Sequence, residues 1–219
     1  MGSGINEVRE GQYTSGLNKL LQAKKYIPNK AELWNALGMA YFAKKDFVKS
    51  EESFKHAMAL KPEDNSARSN LGAIYLEQGK LGPAQRELEA VLKDLAFTEQ
   101  DKTLFNLGLL HDKLGNRLKA ADYYARAIKE NPNFCQAWMR LSDTQIATGK
   151  REDAIQSLRS ASNGLCYGNM EAHYQLGVVL AQDRDLDLAK NKFEEILRRF
   201  PKSPWAKLSE EKLRTMARK

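Results

Sequence analysis

The sequence predicts an all-α fold built from stacked pairs of antiparallel helices, and three observations support this prediction. Only six prolines and fourteen glycines interrupt 219 residues rich in Ala, Leu, Lys, Glu and Gln, which lose little side-chain freedom in a helix. Apolar residues make up 42% of the chain and charged residues 29%, a balance typical of folded proteins. A set of large and small apolar landmarks also recurs about every 34 residues.

The landmarks keep their order along the chain: a large residue, a Leu-Gly pair, an aromatic, a small residue, a large apolar residue, an alanine and a proline. The first complete set is Trp34, Leu37, Gly38, Tyr41, Ser50, Phe54, Ala57 and Pro62. The Leu-Gly pair has its later equivalents at Leu71-Gly72, Leu107-Gly108, Leu141-Ser142 and Leu176-Gly177. This order and spacing resemble the tetratricopeptide repeat.

The resemblance implies a right-handed superhelix, an α-solenoid, of about six helix-turn-helix repeats. Each repeat buries its apolar face against the next, and the first helices line a concave surface. We expect one array over residues 1–203, with repeats at about 5–30 (partial), 31–64, 65–100, 101–134, 135–169 and 170–203. Glycines such as Gly38, Gly72 and Gly177 are expected to let the two helices of a repeat approach closely.

The last segment, 204–219, is predicted to form a C-terminal capping helix. Ser203 is a favoured N-cap residue and Pro204 suits the first helical position. The helix is expected to dock through Trp205, Leu208, Leu213 and Met216.

Catalysis is not expected. His111 and His173 occupy landmark positions and His56 lies beside Ala57, so packing or surface roles explain all three histidines. No cluster of His, Cys and carboxylates has the spacing of a zinc site, and no glycine-rich phosphate loop is present. Adjacent carboxylates such as Glu194 and Glu195 point to different helix faces. The sequence therefore predicts a non-enzymatic protein without metal or cofactor.

The net charge of +7 does not indicate a nucleic-acid partner, because Lys and Arg alternate with carboxylates throughout the chain. No window approaches the ~20 consecutive apolar residues that a membrane span requires. Met1-Gly2-Ser3-Gly4 looks like a sequence added by cloning in front of a truncated protein, so a targeting segment is expected to have been removed before Ile5.

The two cysteines allow a disulfide. Cys135 begins the first helix of its repeat and Cys166 follows the second, and those two ends lie side by side in an antiparallel pair. A bond would indicate an oxidising compartment. The alternative is a pair of half-buried thiols in a reducing cytosol.

A groove on the concave surface is the predicted partner-binding site. The residues expected to face it are mostly apolar: Met39, Phe42, Ala73, Leu76, Phe105, Leu109, Met139, Ile146, Tyr174 and Val178. Repeat proteins that hold acidic chaperone tails carry Lys and Asn where Met39, Ala73 and Leu109 stand here. The groove therefore favours an amphipathic helix or an extended hydrophobic peptide.

A finer resemblance concerns the stretch from Asn70 to Asn116, with its widened joint near Ala96. This stretch is similar to the third and fourth repeats of the type IV pilus pilotin family. The resemblance implies a six-repeat lipoprotein at the periplasmic face of the bacterial outer membrane, attached only through a lipidated cysteine. It also implies that the groove receives a segment of the pilus secretin and assists secretin localisation and assembly.

Two other functions stay open. The segment from Arg198 to Leu208 is similar to a repeat-joining motif of periplasmic lipoproteins that act in outer-membrane protein assembly or envelope maintenance. A cytoplasmic scaffold or regulatory subunit of an enzyme is the third possibility. Its groove would hold a different peptide.

Overall fold

The computed structural model describes residues 1–94 and 96–217 and is all-helical over these residues, with no strand among them. The helices are α1 (Gly2–Arg9), α2 (Tyr13–Lys24), α3 (Ala31–Ala43), α4 (Phe47–Leu60), α5 (Asn65–Glu77), α6 (Leu81–Val91), α7 (Gln100–Lys113), α8 (Arg117–Glu130), α9 (Cys135–Ala147), α10 (Arg151–Ala161), α11 (Met170–Gln182), α12 (Leu186–Arg199) and α13 (Pro204–Met216). A short 3-10 helix spans Gly164–Cys166. None of the helices in the described ranges has the length and apolar character needed to cross a membrane.

The chain divides into two compact units, Met1–Leu110 and His111–Lys219, and the division falls within α7. Two apolar cores of the first unit can be traced among the residues that the structure describes. One core includes Leu20, Leu33 and Leu37 from α2 and α3, and the other includes Phe54 and Leu71 from α4 and α5. The unit begins with a complete helix pair, because α1 starts at Gly2 and packs on α2. The first repeat is therefore not limited to residues 5–30.

Close helix approach explains the glycine of the Leu-Gly landmark. A Cβ atom built on Gly38 would lie 2.6 Å from the ring of Phe54, and one on Gly177 would lie 2.8 Å from the ring of Phe193. These distances are too short for any side chain, so the aromatic ring of the second helix occupies the space that the glycine leaves. The expected role of these two glycines is confirmed.

The second unit has an apolar core formed by α10, α11 and α12, with Leu158, Leu176 and Phe193 among its buried members. The capping helix α13 begins as predicted: the Ser203 hydroxyl accepts a hydrogen bond from the Ala206 N–H at 3.2 Å, and Pro204 is the first helical residue. Leu213 and Met216 pack against the core.

Trp205 and Leu208, the other two α13 residues that were expected to dock, differ in their contacts. The Trp205 ring lies 5.2 Å from the ring of Tyr174, so this contact forms as expected. Leu208 is exposed, and its expected docking role is wrong. Ala206 and Ser209 are the residues that this helix buries instead. Leu208 lies between them in the sequence and faces the solvent.

Candidate functional site

In the first unit, the predicted groove residue Met39 borders an open cleft. Met39 is half-buried between the two apolar cores and lines a cleft of about 370 Å³. The cleft is formed by α1, α3 and the start of α5, and its other lining residues include Ile5, Asn35, Glu32 and Ser66. Sequence reasoning missed Ile5, because the first repeat was expected to be partial and groove residues were taken only from the later repeats.

The other predicted residues of the first unit pack more closely. Phe42 is half-buried and its ring lies 6.1 Å from the ring of Phe47. Ala73 and Phe105 are also half-buried, and Leu109 packs against the α4–α5 core.

Leu76 does not line a groove. Its residue surface is only 4% exposed, because the side chain belongs to the α4–α5 core together with Ile74, Tyr75 and Leu110. This burial corrects the inclusion of Leu76 among the partner-binding residues. Helical periodicity alone does not show that other large side chains pack around Leu76.

In the second unit, three predicted residues share one cleft. Ile146, Tyr174 and Val178 line a space of about 290 Å³ between α9 and α11. Ile146 is 40% exposed, whereas Tyr174 is held between the rings of Phe193 and Trp205 at 5.7 and 5.2 Å. Burial, followed by the charge of Glu211, raises the pKa of the Tyr174 hydroxyl. Met139 does not border this cleft and instead packs against the α10–α12 core.

Polar residues complete the lining of this second cleft and were not predicted. They are Asp143, Gln175 and Gln182. The Asp143 carboxylate lies 3.9 Å from the Arg140 guanidinium. Burial, opposed by Arg140 and reinforced by the carboxylates of Glu171 and Asp112, raises the Asp143 pKa. Asp143 precedes Ile146 by three residues, so helical spacing could have placed it on the same face of α9 as that cleft residue.

The histidines lie apart from these clefts. The His56 ring is 4.0 Å from Trp34, and the His111 ring stacks on Tyr123 at 5.2 Å. His173 is completely buried, and its Nε2 lies 2.9 Å from the Tyr167 carbonyl oxygen. Burial lowers the pKa of His173. Among the residues that the structure describes, no group of three or more His, Cys, Asp or Glu side chains could hold a metal ion.

Cys135 and Cys166 form a disulfide, with a Cα–Cα distance of 5.5 Å. The bond joins the start of α9 to the 3-10 helix that follows α10, as the antiparallel arrangement of the pair allows. Of the two alternatives, a disulfide and a pair of half-buried thiols, the structure contains the disulfide.

Comparison with known proteins agrees with this architecture. Models of the tetratricopeptide repeat match residues 31–64, 101–134 and 171–203. The solved structure of PilF from Pseudomonas aeruginosa superposes with a TM-score of 0.78 and 18% identity over 98% of this chain and 95% of that one. PilW, a widely conserved type IV pilus biogenesis factor, superposes with a TM-score of 0.81 and 18% identity over 94% of each chain. The predicted α-solenoid class is therefore confirmed.

Sequence similarity is weaker than similarity of fold. The type IV pilus assembly protein PilF of Pseudomonas aeruginosa is 20% identical over 140 residues, or 64% of this chain and 56% of PilF. The CTR9 homologue of Arabidopsis thaliana is 27% identical over 78% of this chain, but the chain spans only 16% of that protein. The chain likewise spans only 23% and 20% of the human and mouse protein O-mannosyl-transferases TMTC3 that it matches. The chain thus contains tetratricopeptide repeats in the three matched segments, and its fold is similar to that of the type IV pilus proteins PilF and PilW.

Proposed function

We propose that this chain is a non-enzymatic interaction module that acts as a pilotin of a type IV pilus. In this role it binds a segment of the secretin subunit and assists the localisation and assembly of the secretin in the outer membrane. The observation that carries the proposal is the similarity of fold to PilF and PilW over nearly the whole chain. A pilus protein also ranks among the curated relatives by sequence.

The disulfide supports the compartment that this function requires. Disulfides form and persist in oxidising environments such as the bacterial periplasm, and they are rare in the cytosol. The Cys135–Cys166 bond therefore favours the periplasmic face of the outer membrane over a cytoplasmic scaffold.

The secretin segment would bind to apolar side chains that the two units leave partly open. In the first unit these are Met39 and its neighbours in the α1–α3 cleft, and in the second unit Ile146, Tyr174 and Val178 in the α9–α11 cleft. Each large apolar side chain that such clefts enclose contributes about 1.5–3 kcal/mol before ordering costs are subtracted. An amphipathic helix or an extended hydrophobic peptide supplies such side chains.

The test uses Ile146→Asn, which changes an exposed side chain of the α9–α11 cleft. Leu186→Asn is the matched control, because Leu186 is 54% exposed, lies in the same unit and does not line the cleft. Both variants should fold like the wild type by circular dichroism. Each variant is expressed in a normally piliated strain from which the wild-type gene has been deleted. Leu186→Asn should restore detergent-resistant secretin multimers, whereas Ile146→Asn should leave more of the secretin as monomers.

Normal secretin assembly in cells that lack the protein altogether would refute the pilotin function. If many outer-membrane barrel proteins were depleted in those cells together with the secretin, the alternative role in envelope assembly would replace it. The disulfide favours that alternative equally, because both functions belong to the periplasm.

A further inference from the structure

The α9–α11 cleft of the second unit combines an apolar interior with an acidic edge. Ile146, Tyr174, Val178 and Val179 provide the apolar lining, and Asp143 lies beside them in the same cleft. Glu171 adjoins it, because its Oε1 accepts a hydrogen bond from Nε2 of the cleft residue Gln175 at 3.3 Å. An apolar group that entered the cleft would therefore lie next to carboxylates.

The charges around Asp143 are mainly negative. The carboxylates of Glu171 and Asp112 both act on Asp143, and the opposing cation is Arg140. The contact with Arg140 is long, at 3.9 Å, and both side chains are about half exposed. One Asp112 oxygen is already used, because Oδ2 accepts a hydrogen bond from the Tyr124 hydroxyl at 2.6 Å. Asp143 lines the cleft and Glu171 adjoins it through Gln175, whereas Asp112 is not a lining residue, so Asp143 and Glu171 are the carboxylates best placed to meet a charged group of a partner.

We propose that this cleft selects a peptide segment that presents an apolar side chain together with a Lys or Arg one helical turn away. The apolar side chain enters between Ile146 and Val178, and the cation pairs with Asp143 and Glu171. The inference rests on the proposed function, since it specifies the chemistry of the segment that binds to the second unit.

Charge complementarity and size favour this occupant. The whole chain carries a net charge of +7, so general attraction would favour acidic partners, whereas the local edge of the cleft is acidic and favours a cation. A helix places residues three or four positions apart on the same side, about 5–6 Å from each other, which suits an apolar site with carboxylates beside it. The volume of about 290 Å³ suits one or two side chains rather than a folded surface.

The experiment selects binders from a random twelve-residue peptide library displayed on phage, with the full chain immobilised in its oxidised form. Three variants are selected in parallel: Asp143→Asn with Glu171→Gln, which removes the charges; Ile146→Asn, which changes the apolar lining; and Leu186→Asn as the matched control. Selected peptides are then synthesised and titrated at low and high salt.

We expect the wild type and Leu186→Asn to enrich peptides with a large apolar residue and a Lys or Arg three or four positions away. The charge-neutral variant should lose the Lys and Arg preference and bind the same peptides about fivefold more weakly at low salt, with a smaller difference at high salt. Ile146→Asn should lose the enrichment as a whole.

Two results would overturn the inference while leaving the proposed function intact. One is an apolar consensus without Lys or Arg, and the other is a basic consensus that the charge-neutral variant retains. In both cases Ile146→Asn would still fail to enrich the consensus peptides. If no peptide is enriched, or if the enriched peptides bind Ile146→Asn unchanged, peptide binding at this cleft fails and the inference fails with it.

Discussion

Breaking the Cys135–Cys166 disulfide should destabilise the second unit by an amount that its position in the sequence determines. The two cysteines are 31 residues apart, and closing a loop of that length lowers the entropy of the unfolded chain. The chain-entropy relation gives about 3.7 kcal/mol at 25 °C for such a loop. With an m-value of about 2–3 kcal/mol/M, this loss lowers the urea midpoint by roughly 1–2 M.

The measurement is urea unfolding of the wild type, followed by circular dichroism, with and without a reducing agent. Reduction keeps both sulfur atoms in place, so it separates the cross-link from the packing of the half-buried Cys135 and the buried Cys166. The variant Cys135→Ala with Cys166→Ala should unfold near the midpoint of the reduced wild type and should not respond to the reducing agent. An oxidised wild type free of thiols that unfolds at the same midpoint as its reduced form would refute the reasoning.

Two further predictions concern the helix packing and the buried histidine. Gly38→Ala should destabilise the first unit by about 1–3 kcal/mol, because the new methyl group would meet the Phe54 ring. The control is Gly82→Ala, where the added Cβ would meet nothing closer than 4.0 Å within its helix environment. This control should be neutral or stabilising by up to about 1 kcal/mol. A Gly38→Ala protein that is as stable as the wild type in urea would contradict the packing argument. His173 has a lowered pKa in the folded state, so its unfolded form binds more protons and stability is lost as pH falls below 6.5. His173→Phe should therefore lose less stability than the wild type between pH 7.5 and 5.5, and equal losses in the two proteins would exclude the histidine as a cause.

Much of the fold could be predicted because each landmark reports a local contact. Gly38 and Phe54 are 16 positions apart, yet their types indicate a close approach that the structure contains. Ser203 and Pro204 likewise identify the start of α13, because capping depends on the nearest few residues. The close approach recurs at Gly72 with Leu88 and at Gly177 with Phe193, so the period of these contacts is visible in the sequence without a structure.

The candidate site was less predictable, because exposure depends on elements distant in the sequence. Helical spacing put Leu76 and Ile146 in equivalent positions, but the first is core and the second is 40% exposed. The difference comes from the cluster of large side chains that packs around Leu76. Predicting that Ile5 lines the first cleft would have required knowing that α1 is a complete helix. The α1 segment contains no repeat landmark that indicates this.

The fit between Gly38 and Phe54 has a consequence for how such a protein can diversify. Ser142 stands at the corresponding position of α9 and carries a hydroxymethyl group where Gly38 has only hydrogen. If α9 replaced α3, the hydroxymethyl group of Ser142 would clash with the Phe54 ring. Moving both helices of a pair together keeps each small residue with the large side chain that it packs against. Recombination, duplication or engineered insertion should therefore succeed with whole hairpins and fail with single helices.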